Sequence, residues 1–227
     1  MSVRAGMALG RARLRQPGIL SACLLALCFE LGVALLERAQ GRIGAADRAL
    51  TGGAFGIALP LLCYFVVQRA CGGLGLRAAV NPLARHGMSR HGLVLGLSIA
   101  PALIAALFAA LSGVAIVALT RGSGDALLIQ DLATCLWIGL IAGLAYSVAL
   151  VGASAYGQRG QGRVWLLAAD FLLGSGSSLL AAPWPKGHVR NLLGGTPVLQ
   201  LSQLSALLLL LGTSFACLWL GTLRCKR

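Results

Sequence analysis

Acidic residues are scarce in this chain of 227 residues, which has six Asp and Glu against 19 Lys and Arg. Charged residues make up 11% and hydrophobic residues 58%, with a mean hydropathy of +0.84. A soluble domain of this composition would have too little polar surface to cover its core, so that class is excluded. Histidine is equally rare. His86, His91 and His188 all fall between the long apolar runs, so a serine nucleophile inside the membrane would have no base beside it. His86 and His91 are five apart and do not stack on one helix face, and no H-E-x-x-H pattern occurs, which argues against a metal centre. The phosphate-cradling pattern G-x-x-x-x-G-K-[ST] is missing. No two of the seven cysteines form a C-x-x-C pair, and none lies in an outer loop where an oxidising compartment could bridge it. They read as small apolar packing residues. No catalytic constellation, metal or cofactor is expected. No internal repeat is visible, against a carrier built from inverted halves.

What the chain does have is long apolar runs. Six of them, near residues 18–36, 51–67, 92–120, 132–156, 164–182 and 197–220, have roughly the 17–25 residues that a helix needs to cross a ~30 Å hydrocarbon core. The expected fold is all-α: a polytopic membrane protein with six transmembrane helices, forming one domain over residues 1–227. Residues 1–17 would be an amphipathic arm and 68–91 a connection carrying a short surface helix. The apolar run after the basic start is expected to stay in place as the first span rather than be cleaved as a signal peptide. Charge sets the orientation. The arm, the 68–91 connection, Arg159 with Arg163, and the tail hold 13 of the 19 basic residues and none of the six acids. The opposite side has Glu37, Asp47, Asp125 and Asp131 to offset its bases. Lys and Arg near span ends are retained inside, so both termini should be cytoplasmic. The net charge of +13 is explained by topology and by attraction to anionic lipids, not by nucleic acid. Arginine outnumbers lysine 17 to two, and Ala, Gly and Leu abound; this points to a GC-rich bacterial genome and an inner-membrane location.

Glycines four apart, at 52 and 56, 92 and 96, and 139 and 143, predict close helix packing, because in lipid packing rather than water exclusion holds spans together. Two carboxylates fall inside the apolar runs. A charge at mid-span costs about 2.5–3.5 kcal/mol, so Glu30 and Asp170 should face other helices or a wet cavity. Asp170 shares a face with Gly174, Ser177 and Ser178. Glu30, Asp170 and Ser177 are therefore the candidate substrate-pathway residues, with a role in fixing helix packing as the alternative. Beyond them the segment 174–197 is broken by Pro183, Pro185, Pro197, Gly194 and Gly195, and a short re-entrant piece near 189–193 competes with a plain loop.

The run L-A-R-H-G-M-S-R-H-G-L-V-L-G at residues 83–96 resembles the stretch where the cytoplasmic connection re-enters the membrane in permease subunits of ABC-2-type transporters. The layout is similar as well: a basic arm, six spans, and an irregular segment before the last. The connection departs from the family pattern in having no acid. The resemblance implies a permease that dimerises or pairs with another and is driven by a separate ATP-hydrolysing subunit docked on the 68–91 connection. It makes Arg77, Arg85, Ser89 and Arg90 the candidate ATPase contacts and implies no catalytic residue. Two other readings stay open: a membrane scaffold or assembly factor, and an intramembrane or lipid-modifying enzyme using Asp170 and the serines at 175–178.

Overall fold

The computed structural model describes residues 1–41, 44–121 and 128–226; Arg42, Asp125 and Arg227 of the charge reading lie outside them. All regular structure in the described residues is helical. The helices are α1 (Ser2–Leu14), α2 (Gly18–Ala39), α3 (Ala45–Arg48), α4 (Leu59–Ala70), α5 (Leu76–Ala84), α6 (Arg90–Thr120), α7 (Leu128–Ala153), α8 (Gly162–Leu173), α9 (Pro185–Leu192) and α10 (Gln203–Lys226). A π-helical stretch, Ala49–Ala58, joins α3 to α4 into one continuous helix, Ala45–Ala70. Among the described residues five helices are long and apolar enough to cross a membrane: Gly18–Ala39, Ala45–Ala70, Arg90–Thr120, Ile129–Ala153 and Gln203–Cys225. The described residues thus form an all-helical fold with five candidate membrane-spanning helices.

The expected span at 164–182 does not form as one helix. α8 has 12 residues, about 18 Å of rise, and stops at the run G-S-G-S-S, where glycine raises backbone entropy and serine competes for backbone hydrogen bonds. The chain then turns through Leu179–Ala181 into α9. A Cβ added at Gly56, in the π-helical stretch, would lie 3.9 Å from Lys186 Cε. The start of α9 therefore sits beside the second long helix.

α6 is the central element, packed on α7 along one side and crossed by α1. Small residues permit both contacts. A Cβ at Gly139 would come within 2.7 Å of the Ala109 and Ala110 backbone, and Gly143 is closer still to Ala105. Gly92 and Gly96 face α1, where they meet Ser2, Val3 and Met7. In the remaining expected pair, Gly52 is exposed with nothing near it, and Gly53 instead makes the close approach, to Val33 of α2. A further contact joins Gly152 of α7 to Gly221 of α10.

Four basic segments meet at one end of the bundle. Arg13 of α1 donates from Nη1 to Ala70 O at 3.0 Å and from Nη2 to Ala79 O at 3.2 Å, tying the arm to the C-terminus of α4 and to α5. The Leu76 N–H donates to Ser154 O at 2.8 Å, joining α5 to the end of α7. Arg90 Nη1 donates to Cys225 O at 2.8 Å, joining α6 to the end of α10. At the other end Arg48 pairs with Glu37 at 2.7 Å and closes the turn between α2 and α3.

Arg13 therefore acts as a positioning bolt between the Ala70 carbonyl, at the open C-terminal end of α4, and the Ala79 carbonyl within α5. Arg13→Gln should lower stability in detergent by about 1.5–3 kcal/mol, the usual worth of charged hydrogen bonds. Arg11→Gln, at an exposed site on the same helix, should stay within about 0.5 kcal/mol of the parent. Equal effects of the two changes on the unfolding midpoint would contradict this assignment.

Candidate functional site

Asp170 is fully buried where α7, α8 and α9 meet. Its Oδ2 accepts a hydrogen bond from the Tyr146 hydroxyl at 2.9 Å, and its Oδ1 accepts from the Lys186 backbone N–H at 2.9 Å. Pro185 occupies the first turn of α9, where its missing N–H costs nothing. The carboxylate is thus an N-terminal cap supplied from another helix, placed where a helix favours negative charge. One glycine makes room for it, since a Cβ at Gly174 would sit 3.0 Å from Asp170 Oδ1; a second, Gly187, lets α9 approach the next segment, where a Cβ would sit 2.6 Å from Val198 Cγ2. Lys186 reaches back so that its Nζ lies 5.1 Å from the Phe171 ring centre, a cation–π contact.

α9 then uses its own polar side chains to hold the irregular backbone on both sides. Arg190 donates to the carbonyls of Ser175, Gly176 (2.8 Å) and Thr196 (3.2 Å). Asn191 Nδ2 donates to Leu201 O at 2.9 Å. His188 Nε2 lies 2.7 Å from Ala182 O; since a carbonyl only accepts, Nε2 carries the proton. The resulting outer pocket, about 770 Å³, is walled by Ser175, Ser177, Arg190, Thr196, Leu199 and Gln200 among others. Leu199 and Gln200 adopt positive φ, 52° and 56°, and the Leu199 N–H donates to Ser177 O at 3.0 Å. Ser177 is exposed on this pocket, whereas Asp170 is buried and forms no part of its wall.

Glu30 is elsewhere. It is buried on the face of α2 that packs on α6 and the π-helical stretch. Neither carboxylate oxygen completes a hydrogen bond among the described residues. Ser112 of α6 is the polar side chain close enough to interact with it, but the Ser112 hydroxyl is directed to Ala109 O. Among the described residues Ser177 lines the pocket beside α9, Asp170 is buried behind that wall, and Glu30 lies apart on α2.

On the arginine-rich end, α5 buries Leu76, Ala79 and Val80 and exposes Arg77 and Arg85. Ser89 and Arg90 serve the fold directly. The Ser89 hydroxyl accepts from the Gly92 N–H as the N-cap of α6, and its own N–H donates to Ser2 Oγ at 3.1 Å. Arg90 is half-buried against Cys225. Comparison with protein-family models, curated proteins and solved structures finds no match to this chain. Tyr146, His188, Arg190 and Asn191 carry the most geometry around Asp170, and the sequence reading singled out none of them for this role. A lone tyrosine in mid-span and three polar residues within a short run between prolines were the available signals.

Removing Asp170 strands two donors, the Tyr146 hydroxyl and the Lys186 N–H, each costing about 1–3 kcal/mol when buried and unpaired. Asp170→Ala should therefore destabilise by about 2–5 kcal/mol. Glu30→Leu removes a buried group that has no bond to lose, and should leave stability unchanged or raise it. Unfolding of both variants in the same detergent checks the contrast, and the reverse order would refute it.

Proposed function

We propose that this chain is a permease subunit of an ATP-driven exporter in a bacterial inner membrane, with six crossings and both termini cytoplasmic. It would work with a separate ATP-hydrolysing subunit and pair with a second copy or a partner permease. The observation that carries this reading is α5. It is a short helix in the longest basic connection, apolar on its buried face and basic on its exposed one. It is also tied to four other elements: through Ala79 O to Arg13 of α1, through the Leu76 N–H to the end of α7, and by packing to α6 and α10. A push on its outer face would reach α1, α6 and α7 together, as a coupling element requires. α8 with α9 supplies the fifth crossing. Arg77 and Arg85 present the surface for the ATPase, while Ser89 and Arg90 hold the re-entry of α6 in place behind it.

A non-catalytic scaffold is the second reading. It is favoured by Asp170, each of whose oxygens accepts from an internal donor and whose side chain is buried away from any surface a substrate could reach. The two readings part in an affinity purification from solubilised membranes. The permease reading expects a P-loop ATPase to co-purify in stoichiometric amount and to be lost when Arg77 and Arg85 are both changed to Glu. A folded, abundant protein that brings down no ATPase would overturn it in favour of the scaffold.

A further inference from the structure

The arginine-rich end contains a cavity beside α5, which shares Arg77 with the surface proposed for the ATPase. It has a volume of about 780 Å³, and its walls include Leu74, Gly75, Arg77, Ser154, Arg159 and Arg224. Pockets of this size fit small ligands or headgroups. Three guanidinium groups reach it from three separate parts of the chain: the start of α5, the turn after α7, and the end of α10. Among the described residues no acidic side chain lines it.

The Arg224 side chain and the backbone at Arg159 are held in place. The Arg224 guanidinium carbon lies 4.8 Å from the centre of the Tyr156 ring, which orients it. Arg159 is fixed in a left-handed turn, φ 52°, between Gly157 and Gly160, whose own φ values are 74° and 76°. Behind the wall Arg163 is 3% exposed. Its Nη2 donates to Leu74 O at 3.2 Å and to Arg159 O at 3.1 Å, bracing two wall residues, while its Nη1 has no partner among the described residues. α5 also begins at this cavity, with Gly75 as an N-cap that has no side-chain bond, so the positive end of a nine-residue helix adds to the field.

Four positive groups gathered without a carboxylate repel one another unless an anion joins them, and the forked guanidinium matches phosphate oxygens. The level of the cavity says where that anion comes from. α7 ends at Ala153 and the last span at Cys225, so the cavity lies where helices leave the hydrocarbon and headgroups begin. Leu74, 42% exposed, gives it an apolar lip. We propose that this cavity binds a phosphate-bearing anion, its arginines closing on the headgroup phosphate of an anionic lipid. Basic pockets between span ends are where such headgroups are taken up.

The test uses the purified full chain in detergent and three probes: a fluorescent phosphatidylglycerol, phosphatidylcholine, and inorganic phosphate alone. The cavity variant carries Arg159→Gln with Arg224→Gln. The control carries Arg4→Gln with Arg11→Gln, two exposed arginines of α1, so that both lose the same charge. Phosphatidylglycerol should bind about tenfold more weakly to the cavity variant and within about twofold of wild type to the control. Phosphatidylcholine should not compete. Arg77→Gln alone, at an exposed position, gives a second variant if the double change disturbs folding, and it should weaken binding in the same direction. Inorganic phosphate binding that is lost in the cavity variant, without lipid binding, would keep the phosphate site and assign it to a soluble ligand. Equal weakening in cavity variant and control, or no binding of either anion, would overturn the proposal.

Discussion

Backbone N–H and C=O groups away from water must be paired, and the segment between α8 and α10 meets that demand without a continuous helix. It does so through one carboxylate and one short helix. Asp170 satisfies the open N-terminus of α9 and takes the Tyr146 hydroxyl in the same geometry. With that end fixed, Arg190, Asn191 and His188 stand where they meet the carbonyls of residues 175, 176, 182, 196 and 201. The broken stretch is thus held by side chains in place of helical hydrogen bonds. Without Asp170 the start of α9 has no cap, and the carbonyls that its side chains serve lose their common support.

The arginine-rich end follows a different rule. Its charges share one sign, so they cannot pair with one another, and the structure divides them by what they touch. Arg13, Arg90 and Arg163 turn to backbone carbonyls at helix ends and turns and tie α1, α5, α6 and α10 together. Carbonyls at helix C-termini carry partial negative charge, which makes them natural partners where carboxylates are missing. Arg77, Arg85, Arg159 and Arg224 stay exposed. A topology rule accounts for the presence of all seven on one side but not for this division of labour. The outward-facing group remains available for partners, and the inward-facing group fixes the shape that presents it.

Much of the fold was legible because long apolar runs and small-residue spacing report directly on helices in lipid. The third span was expected at residues 92–120 and is α6, Arg90–Thr120; Gly139 and Gly143 pack on it as their spacing implies. The run at 164–182 misled because apolarity measures the medium, not the helix. Its leucines and alanines suit lipid, but G-S-G-S-S ends α8 after 12 residues. Gly53 rather than Gly52 meets α2 because the second helix is π-wound there, which shifts the face that a regular helical period would predict. The arginines were the least legible. Arg11 and Arg13 are two residues apart in sequence, yet one is exposed and the other reaches two carbonyls more than 50 positions away. Nothing local distinguishes them.

The two buried carboxylates show why the candidate site could be located but not interpreted from sequence. Glu30 and Asp170 face the same transfer penalty, and each must turn inward for the same reason. What separates them is the neighbour. Asp170 meets a hydroxyl and a helix start, so both its oxygens are used and its geometry is set by the fold. Glu30 meets the side of α6, where the nearest hydroxyl is already directed to its own helix. A carboxyl group buried without a donor bears the cost of leaving water with no bond to offset it. Glu30 thus has no hydrogen-bond partner among the described residues to fix its direction, and it sits on the interface that joins α2 to α6. The two groups are chemically alike and opposite in constraint: Asp170 is held by two donors, and Glu30 has no hydrogen-bond partner among the described residues.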